Sequence, residues 1–325
     1  MIARVVAQMF LAVTVLRIVP VDAANMEWQI GISTPPEVLA APLFSLTSTP
    51  VRLPVAQDVA VFPPQKTDLS NYGVVTDAQS VFVADTHSGA ALFAKNADDV
   101  RPIGSITKLM TALVFLETQP DLDAWVALVD DDYVGGATVH VRFNDGIRVR
   151  DVLGASIVGS DNTATQALVR LSGMSQEAFI VAMNAKAAAL GMTSSAFTEA
   201  TGIDSGNVST ARDTMLMLQA ARQSDILVRF MQSARIPLRY ASGTVTTVDS
   251  TDALFDSALN GKPYAVTGGK TGYIPEAGYC FITTITHHGN EVFVAVLGAH
   301  SRADRFNDAQ ALALWAFSTF TWPQL

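Results

Sequence analysis

The sequence predicts an α+β domain, in which N-terminal and C-terminal strands form one antiparallel sheet around a helical middle region. Three observations support this prediction. Strand patterns separated by a turn begin at Ser80, helical periodicity dominates from Ser105 to beyond Thr210, and strand patterns return after Tyr264. The 325 residues, of which 49% are hydrophobic, are sufficient to bury a large core.

The N-terminus has the pattern of a secretory signal peptide. A positive charge precedes an apolar run from about Val5 to Leu16, and Val21-Asp22-Ala23 offers small residues for cleavage. Gln8 and Arg17 keep that run shorter than a membrane-spanning helix requires. We therefore predict a signal peptide at residues 1–23, export to the periplasm or the envelope exterior, and no stable transmembrane segment after processing. A retained membrane anchor is the alternative.

Residues 24–75 are predicted to be a proline-rich tether. This stretch contains seven of the fourteen prolines and has no sustained helical or strand period. The folded domain is predicted at residues 76–320, and no separate C-terminal β domain is expected.

The domain is predicted to begin with a hairpin and a central helix. Turn residues lie between the apolar runs Val81 to Ala84 and Ala90 to Phe93, which favours a hairpin. Ser105 to Glu117 is apolar on nearly all sides. Such a pattern is typical of a helix that is buried all round.

The middle of the chain is predicted to be helical. Helical periodicity continues from Asp151 to Leu171 and from Ser175 to Leu190, after which Gly191 provides a stop signal. Another helix is predicted to begin at Thr210, because Thr210 and Asp213 have the spacing of a capping box.

The C-terminal part is predicted to return to strands and to end in a helix. Gly278 to Thr286 and Glu291 to Leu297 are apolar runs around a His-His-Gly-Asn turn, as in a hairpin. A last helix is expected from Arg305 to Phe317.

Composition excludes several classes of function. The net charge is -9, and no basic stripe is present that could follow a phosphate backbone, which argues against nucleic-acid binding. Cys280 is the single cysteine, so no intrachain disulfide can form. The five histidines show no H-E-x-x-H spacing, which disfavours zinc peptidase chemistry.

Ser105 and Lys108 form the first chemical motif. Their spacing at a helix start places a hydroxyl and an amine on one face, within hydrogen-bonding reach. A lysine can take the serine proton near neutral pH if burial lowers its pKa, and the apolar helix provides that burial. Such a pair arises easily by chance, and on its own Ser105 could be a helix cap and Lys108 a surface side chain.

Two further motifs follow in the chain. Ser160-Asp161-Asn162 lies between helical stretches, where Ser160 could relay a proton and Asn162 could bond a substrate amide, although all three residue types also favour helix caps. Lys270-Thr271-Gly272 precedes the C-terminal hairpin. A cation, a hydroxyl and a bare backbone suit a carboxylate, whereas a turn with a solvated lysine is the alternative.

The three motifs in this order are those of penicillin-binding proteins and β-lactamases. Longer stretches resemble the low-molecular-weight D-alanyl-D-alanine carboxypeptidase and endopeptidase family. These stretches are Arg101–Thr111, Met183–Met192, Val208–Asp213, Gly269–Tyr273 and Arg305–Ala309. The resemblance covers about residues 76–318 and implies a β-lactamase/DD-peptidase-like fold.

The resemblance also implies an activity. It is that of a serine D,D-peptidase without cofactor or metal, acting on the peptide stems of peptidoglycan as a carboxypeptidase, an endopeptidase or both. β-Lactam antibiotics would be covalent inhibitors, and the biological role would be in cell-wall biogenesis and cell shape.

The family's residue roles can be carried over by position. Ser105 would form the acyl-enzyme, Lys108 would be the general base, and Ser160 would pass the proton to the leaving amine. The backbone N–H groups of Ser105 and Tyr273 would form the oxyanion hole. The residues implied in substrate binding are Asn162, Lys270, Thr271, Gly272 and Tyr273.

The chain departs from the family pattern at two neighbours of the chemistry. Gly104 stands where the family usually has Ala, and Ala200 stands where it usually has Pro. Two rival functions remain open. A β-lactamase would need a deacylating carboxylate, for which Glu199 is the candidate, although its surrounding sequence matches the peptidase pattern. An inactive wall-binding module would not need the complete motifs.

Overall fold

The computed structural model describes residues 62–323. The predicted signal peptide and most of the predicted tether lie outside the described residues. Within the described range, no helix is both long enough and apolar enough to cross a membrane.

The helices of the described part occupy the middle of the chain and its C-terminal end. They are α1 Lys108–Glu117, α2 Val149–Val158, α3 Asn162–Leu171, α4 Gln176–Ala189, α5 Ala211–Ala221, α6 Asp225–Met231 and α7 Arg302–Thr319.

The strands lie mainly near the two ends of the domain, as the sequence predicts. They are β1 Gln65–Lys66, β2 Ser80–Asp85, β3 Ala91–Lys95, β4 Arg101–Pro102, β5 Trp125–Val126, β6 Ile147–Arg148, β7 Val208–Ser209, β8 Arg235–Arg239, β9 Val245–Asp249, β10 Tyr264–Ile274, β11 Gly278–His287, β12 Asn290–Ala299 and β13 Phe320–Thr321.

The main sheet confirms the predicted α+β architecture. Its five antiparallel strands have the order β10-β11-β12-β2-β3, so the N-terminal hairpin joins the C-terminal strands through the pairing of β12 with β2. β10, for which the sequence predicted a return to strand character after Tyr264 but no bounds, is an edge strand of this sheet. The motif Lys270-Thr271-Gly272 therefore lies on a strand edge that a ligand can approach, and not on a solvated turn.

Both faces of the sheet are buried, and two hydrophobic clusters fill them. Phe82 and Ala84 of β2 belong to the cluster that includes α1, α2, α3 and α5, whereas Val81 and Val83 belong to the cluster on α7. Side chains alternate between the faces of a strand, so every residue of β2 is buried.

Local signals set the helix boundaries. Ser175 and Thr210 cap α4 and α5, since their side chains accept hydrogen bonds from Ala178 N and Asp213 N. The first turn of the predicted Ser105 helix is tightened into a 3₁₀ turn, Gly104–Thr107, before α1 begins. The last helix begins three residues earlier than predicted, at Arg302, because Ser301 caps it.

The end of the predicted tether packs on the domain. β1 pairs with β13, and the Thr67 side chain donates a hydrogen bond of 2.9 Å to the Thr319 carbonyl oxygen. The Trp315 indole donates a hydrogen bond of 2.8 Å to Asn71 Oδ1. These contacts join residues 65–71 to the C-terminal helix and strand.

Candidate active site

Ser105 and Lys108 meet where the 3₁₀ turn enters α1. Lys108 is completely buried, and its Nζ donates a hydrogen bond of 3.0 Å to Ser105 Oγ. Ser105 is only partly buried. The geometry therefore brings together a reachable hydroxyl and a desolvated amine, as the spacing of the two residues predicts.

Lys108 Nζ has two further acceptors. It donates hydrogen bonds of 2.6 Å to Asn162 Oδ1 and 2.5 Å to the Thr201 carbonyl oxygen. Burial lowers the pKa of Lys108 to about 7, against the opposing effect of Glu199 and Asp161. A substantial fraction of the amine is therefore neutral near pH 7 and can accept a proton.

The second motif divides its tasks among its three residues. Asp161 is the helix cap, since its carboxylate accepts hydrogen bonds from Ala164 N at 3.0 Å and from His140 N at 2.6 Å. Ser160 adopts a left-handed conformation with φ of 58°. The capping alternative therefore applies to Asp161, whereas the side chains of Ser160 and Asn162 contact the two lysines.

Asn162 has both ends of its amide bonded to the protein. Its Oδ1 accepts from Lys108, and its Nδ2 donates a hydrogen bond of 2.7 Å to the Gly135 carbonyl oxygen. In this structure Asn162 therefore orients Lys108 and anchors the loop that contains Gly135.

Lys270 extends the polar cluster from β10. It is 2% exposed, and its Nζ donates hydrogen bonds of 2.8 Å to Ser160 Oγ and 3.1 Å to the Thr271 carbonyl oxygen. Burial holds the pKa of Lys270 well below its usual range, and the positive charges of Lys108 and Arg305 act in the same direction. A bound carboxylate would favour the charged form of this amine.

Thr271 and Tyr273 complete the β10 edge. The hydroxyl groups of Thr271 and Thr251 lie 2.6 Å apart. Tyr273 is 48% exposed, and its ring stacks on Tyr279 with 4.4 Å between centroids. Exposure at this strand end leaves a surface that a peptide can contact.

Three glycines allow the 3₁₀ turn that carries Ser105 to pack closely against neighbouring backbone. A Cβ on Gly272 would lie 2.2 Å from the Ile103 carbonyl oxygen, and one on Gly104 would lie 2.7 Å from Tyr273 N. A Cβ on Gly202 would lie 2.1 Å from the Gly104 carbonyl oxygen. Gly104 also has φ of 55°, so its departure from the family's Ala matches a backbone that favours glycine.

The same packing brings the backbone nitrogens of Ser105 and Tyr273 close to Gly104. Tyr273 N approaches Gly104 across the space that a Cβ would fill, and Ser105 N directly follows Gly104 in the chain. Both backbone nitrogens therefore border the turn that carries the Ser105 hydroxyl.

Sequence reasoning did not identify Thr201, Thr251, Asp252 or Arg305 as neighbours of the chemistry. Arg305 donates hydrogen bonds of 3.0 Å to the Gly272 carbonyl oxygen and 3.3 Å to that of Cys280, and burial lowers its pKa to about 10. The one sequence signal for Arg305 was its place in the stretch Arg305–Ala309, which resembles the family.

Asp252 is a buried carboxyl group beside this site. It is 7% exposed, its Oδ1 accepts from Leu254 N at 2.8 Å, and its Oδ2 has no hydrogen-bond partner. Burial raises its pKa to about 6, although Arg305 and Lys270 oppose that rise. No pattern in the sequence distinguishes it from a surface turn residue.

Between residues 62 and 323, His, Cys, Asp and Glu form no group of three that could hold an ion.

Comparison with known proteins gives a consistent result. Residues 67–301 match the profile of a family described as D-alanyl-D-alanine carboxypeptidase. The D-alanyl-D-alanine endopeptidase of Pseudomonas aeruginosa is 34% identical over 84% of this chain and 87% of its own length. The endopeptidase of Escherichia coli is 30% identical over 73% of this chain and 76% of its own length.

Solved structures have a similar fold. The Streptomyces K15 DD-transpeptidase is 28% identical, covers 76% of this chain and 99% of its own, and has a TM-score of 0.70. Penicillin-Binding Protein D2 from Listeria monocytogenes, in its cefotaxime-bound form, is 30% identical over 75% of this chain and 99% of its own, with a TM-score of 0.65.

Proposed function

The chain belongs to the D-alanyl-D-alanine carboxypeptidase family, and we propose that it cleaves D-Ala-D-Ala-type peptide bonds of peptidoglycan through an acyl-enzyme on Ser105. One observation carries the proposal. The amine of Lys108 is buried, has its pKa lowered to about 7 and bonds the hydroxyl of the partly exposed Ser105.

Acylation follows from this pair. The neutral amine of Lys108 takes the Ser105 proton while Oγ attacks the scissile carbonyl carbon. The negative charge that forms on the carbonyl oxygen is stabilised by the backbone N–H groups of Ser105 and Tyr273. The scissile C–N bond breaks as the leaving amine receives a proton from the hydroxyl of Ser160, which recovers a proton from the ammonium group of Lys270. Water then attacks the ester, a water proton returns to Lys270 by way of Ser160, and Lys108 gives its proton back to Ser105 Oγ as the ester bond breaks.

The second amine supports proton transfer and substrate binding. Lys270 donates to Ser160 Oγ, which leaves the hydroxyl proton of Ser160 free to move to the leaving group. Thr271 and Lys270 lie on the β10 edge, where a substrate carboxylate would meet a hydroxyl and a positive charge. The substrate peptide would bind along this edge as far as Tyr273.

The bond is proposed to be that of a cross-link, with release of a terminal D-Ala as the second activity. The relatives from Pseudomonas aeruginosa and Escherichia coli named above are D-alanyl-D-alanine endopeptidases, which supports this choice. Both reactions use the same acyl donor and differ in the leaving amine.

Export and drug binding belong to the same proposal. A peptidoglycan substrate requires an enzyme outside the cytoplasmic membrane, which agrees with the predicted signal peptide at residues 1–23 and tether from residue 24. A β-lactam would acylate Ser105 by the same steps as the peptide, and the cefotaxime-bound structural relative supports this inference.

A β-lactamase is the rival that Glu199 would support. Both carboxylate oxygens of Glu199 accept hydrogen bonds from residues 201, 202 and 207. A general base for deacylation would instead need a free oxygen facing a water molecule. We therefore expect a long-lived penicillin adduct.

Purified protein incubated with peptidoglycan fragments tests the proposal. We expect cross-linked dimers to be split, free D-alanine to appear more slowly, and fluorescent penicillin to label the wild-type protein but not Ser105→Ala. Turnover of either substrate by Ser105→Ala would remove Ser105 as nucleophile. Rapid release of hydrolysed penicillin would favour the β-lactamase, and no turnover with stable peptide binding would favour the inactive module.

A further inference from the structure

The loop of residues 199–202 lies against both halves of the nucleophile–base pair. The carbonyl oxygen of Thr201 accepts a hydrogen bond of 2.5 Å from Lys108 Nζ. Gly202 packs so closely on the Ser105 turn that a Cβ would lie 2.9 Å from Ser105 N. The position of this short loop therefore sets the surroundings of the base and the nucleophile together.

Glu199 holds the loop from within. Its Oε2 accepts hydrogen bonds of 2.6 Å from Thr201 N and 2.7 Å from Thr201 Oγ1, and its Oε1 accepts from Gly202 N and Asn207 Nδ2. An ionised carboxylate is the side chain suited to this role, because it accepts at both oxygens and donates at neither.

A second anchor ties the loop to the catalytic helix. Thr111 of α1 donates a hydrogen bond of 2.6 Å from Oγ1 to the Ala200 carbonyl oxygen. Thr111 lies one helical turn after Lys108. The loop is therefore bonded to the same helix that carries the base. A shift of the loop would change the hydrogen bond from Lys108 Nζ to Thr201.

We propose that Glu199 is a positioning residue for the acylation step, which fixes the 199–202 loop and thereby the orientation and charge environment of Lys108. This inference rests on the proposed function. Glu199 acts through the Thr201 carbonyl group and through its negative charge, and it does not exchange a proton with substrate.

The charge of Glu199 gives the proposal a distinctive signature. The charged groups around Lys108 are Glu199 and Asp161, which favour its protonated form, and Lys270, whose own pKa Lys108 lowers. Removal of the Glu199 charge should lower the pKa of Lys108 further. The acid limb of the pH profile, where the acylation rate falls as pH decreases, should then move to lower pH. The reason is that Lys108 stays neutral down to a lower pH.

The test compares the pH profile of Ser105 acylation by a fluorescent penicillin in three proteins. Glu199→Gln loses the charge and two of the accepted hydrogen bonds, so we expect acylation at neutral pH to slow on the order of 10- to 100-fold. Its acid limb should lie at lower pH than in the wild type.

Asp213→Asn is the matched control. Asp213 is a buried carboxylate that also holds a loop, by accepting hydrogen bonds of 2.9 Å from Ser194 N and 2.8 Å from Ser195 Oγ. Lys108 Nζ donates its hydrogen bonds to Ser105, Asn162 and Thr201 and none to this loop. The acid limb should therefore stay at the wild-type pH, and the rate should stay within a few-fold.

The charge-retaining variant Glu199→Asp separates position from charge and covers a poorly folded Glu199→Gln. We expect slower acylation with an unmoved acid limb. Wild-type rates in either Glu199 variant, or a slower Glu199→Gln with an unmoved limb, would overturn the proposal. Absence of labelling in the wild type would instead contradict the proposed function on which it rests.

Discussion

The two faces of the main sheet are both buried, yet different side chains fill them. On the α7 face, Val83, Val294 and Leu312 are surrounded by other apolar side chains. On the α1 face, the apolar cluster borders the fully buried Lys108 and the nearly buried Lys270. Burial stabilises the fold on the first face and tunes the acidity of two amines on the second.

The α7 face therefore contributes mainly to the stability of the fold, and the α1 face contains the groups proposed to be reactive. An apolar residue on the α7 face gains free energy from leaving water, at about 25 cal/mol per Å² of buried area. A buried lysine loses its hydration, and its hydrogen bonds recover only part of that cost. Substitutions on the two faces should therefore have opposite consequences.

Replacement of the base should have the largest effect. Lys108→Met fills the same buried space but cannot accept the Ser105 proton, so acylation should slow by at least about 10³-fold. The folded state should persist, because loss of a buried ammonium offsets the loss of its hydrogen bonds. Fluorescent-penicillin labelling and thermal unfolding measure the two quantities, and acylation near the wild-type rate would exclude Lys108 as the base.

A cavity on the α7 face should have the converse effect. Leu312 is completely buried, so Leu312→Ala should lower the free energy of unfolding by about 2–5 kcal/mol. The acylation rate per folded molecule should stay near that of the wild type, because the cavity forms on the opposite side of the sheet. Urea denaturation gives the first quantity, and a large fall in the second would show that the faces are coupled.

Asp252 should show a smaller, pH-dependent effect. Its folded-state pKa of about 6 exceeds the ordinary 3.8, so the folded state binds the proton more tightly. The wild type therefore loses stability as pH rises from about 4 to about 6, by at most roughly 3 kcal/mol.

Asp252→Asn removes that penalty. The variant should be more stable than the wild type at pH 8 and little different at pH 3.5, as measured by urea denaturation. Asp256→Asn, at an exposed position in the same turn, is the control and should show no such dependence. An equal gain at both pH values for Asp252→Asn would contradict the ionisation account.

The sequence predicted the α+β class because its signals are local. β2 and α1 are continuous apolar runs of different length, and Ser175 and Thr210 are caps that act on their own helices. The bounds of the edge strand β10 could not be predicted, although strand character was expected after Tyr264. The strand contains Gly268 and Gly269, which weaken a strand pattern, and its pairing with β11 is a tertiary contact.

The sequence predicted those parts of the candidate site that depend on the chemistry of side chains. The Ser105–Lys108 contact follows from helical spacing, whereas Ser160, Asp161 and Asn162 are equally good caps, and only the folded backbone assigns that role to Asp161. The Thr201 carbonyl group reaches Lys108 through a loop 93 residues away in the chain. A backbone acceptor from a distant loop leaves no residue-type signal.

The most direct test of the central claim is the acylation rate of wild-type Ser105 by penicillin as a function of pH. If burial makes Lys108 the base, the rate should rise with pH through about 7 and level off above it, because the neutral amine is the reactive form. A rate that is independent of pH between 5 and 9, or that still rises near the ordinary lysine pKa of 10.5, would contradict the account.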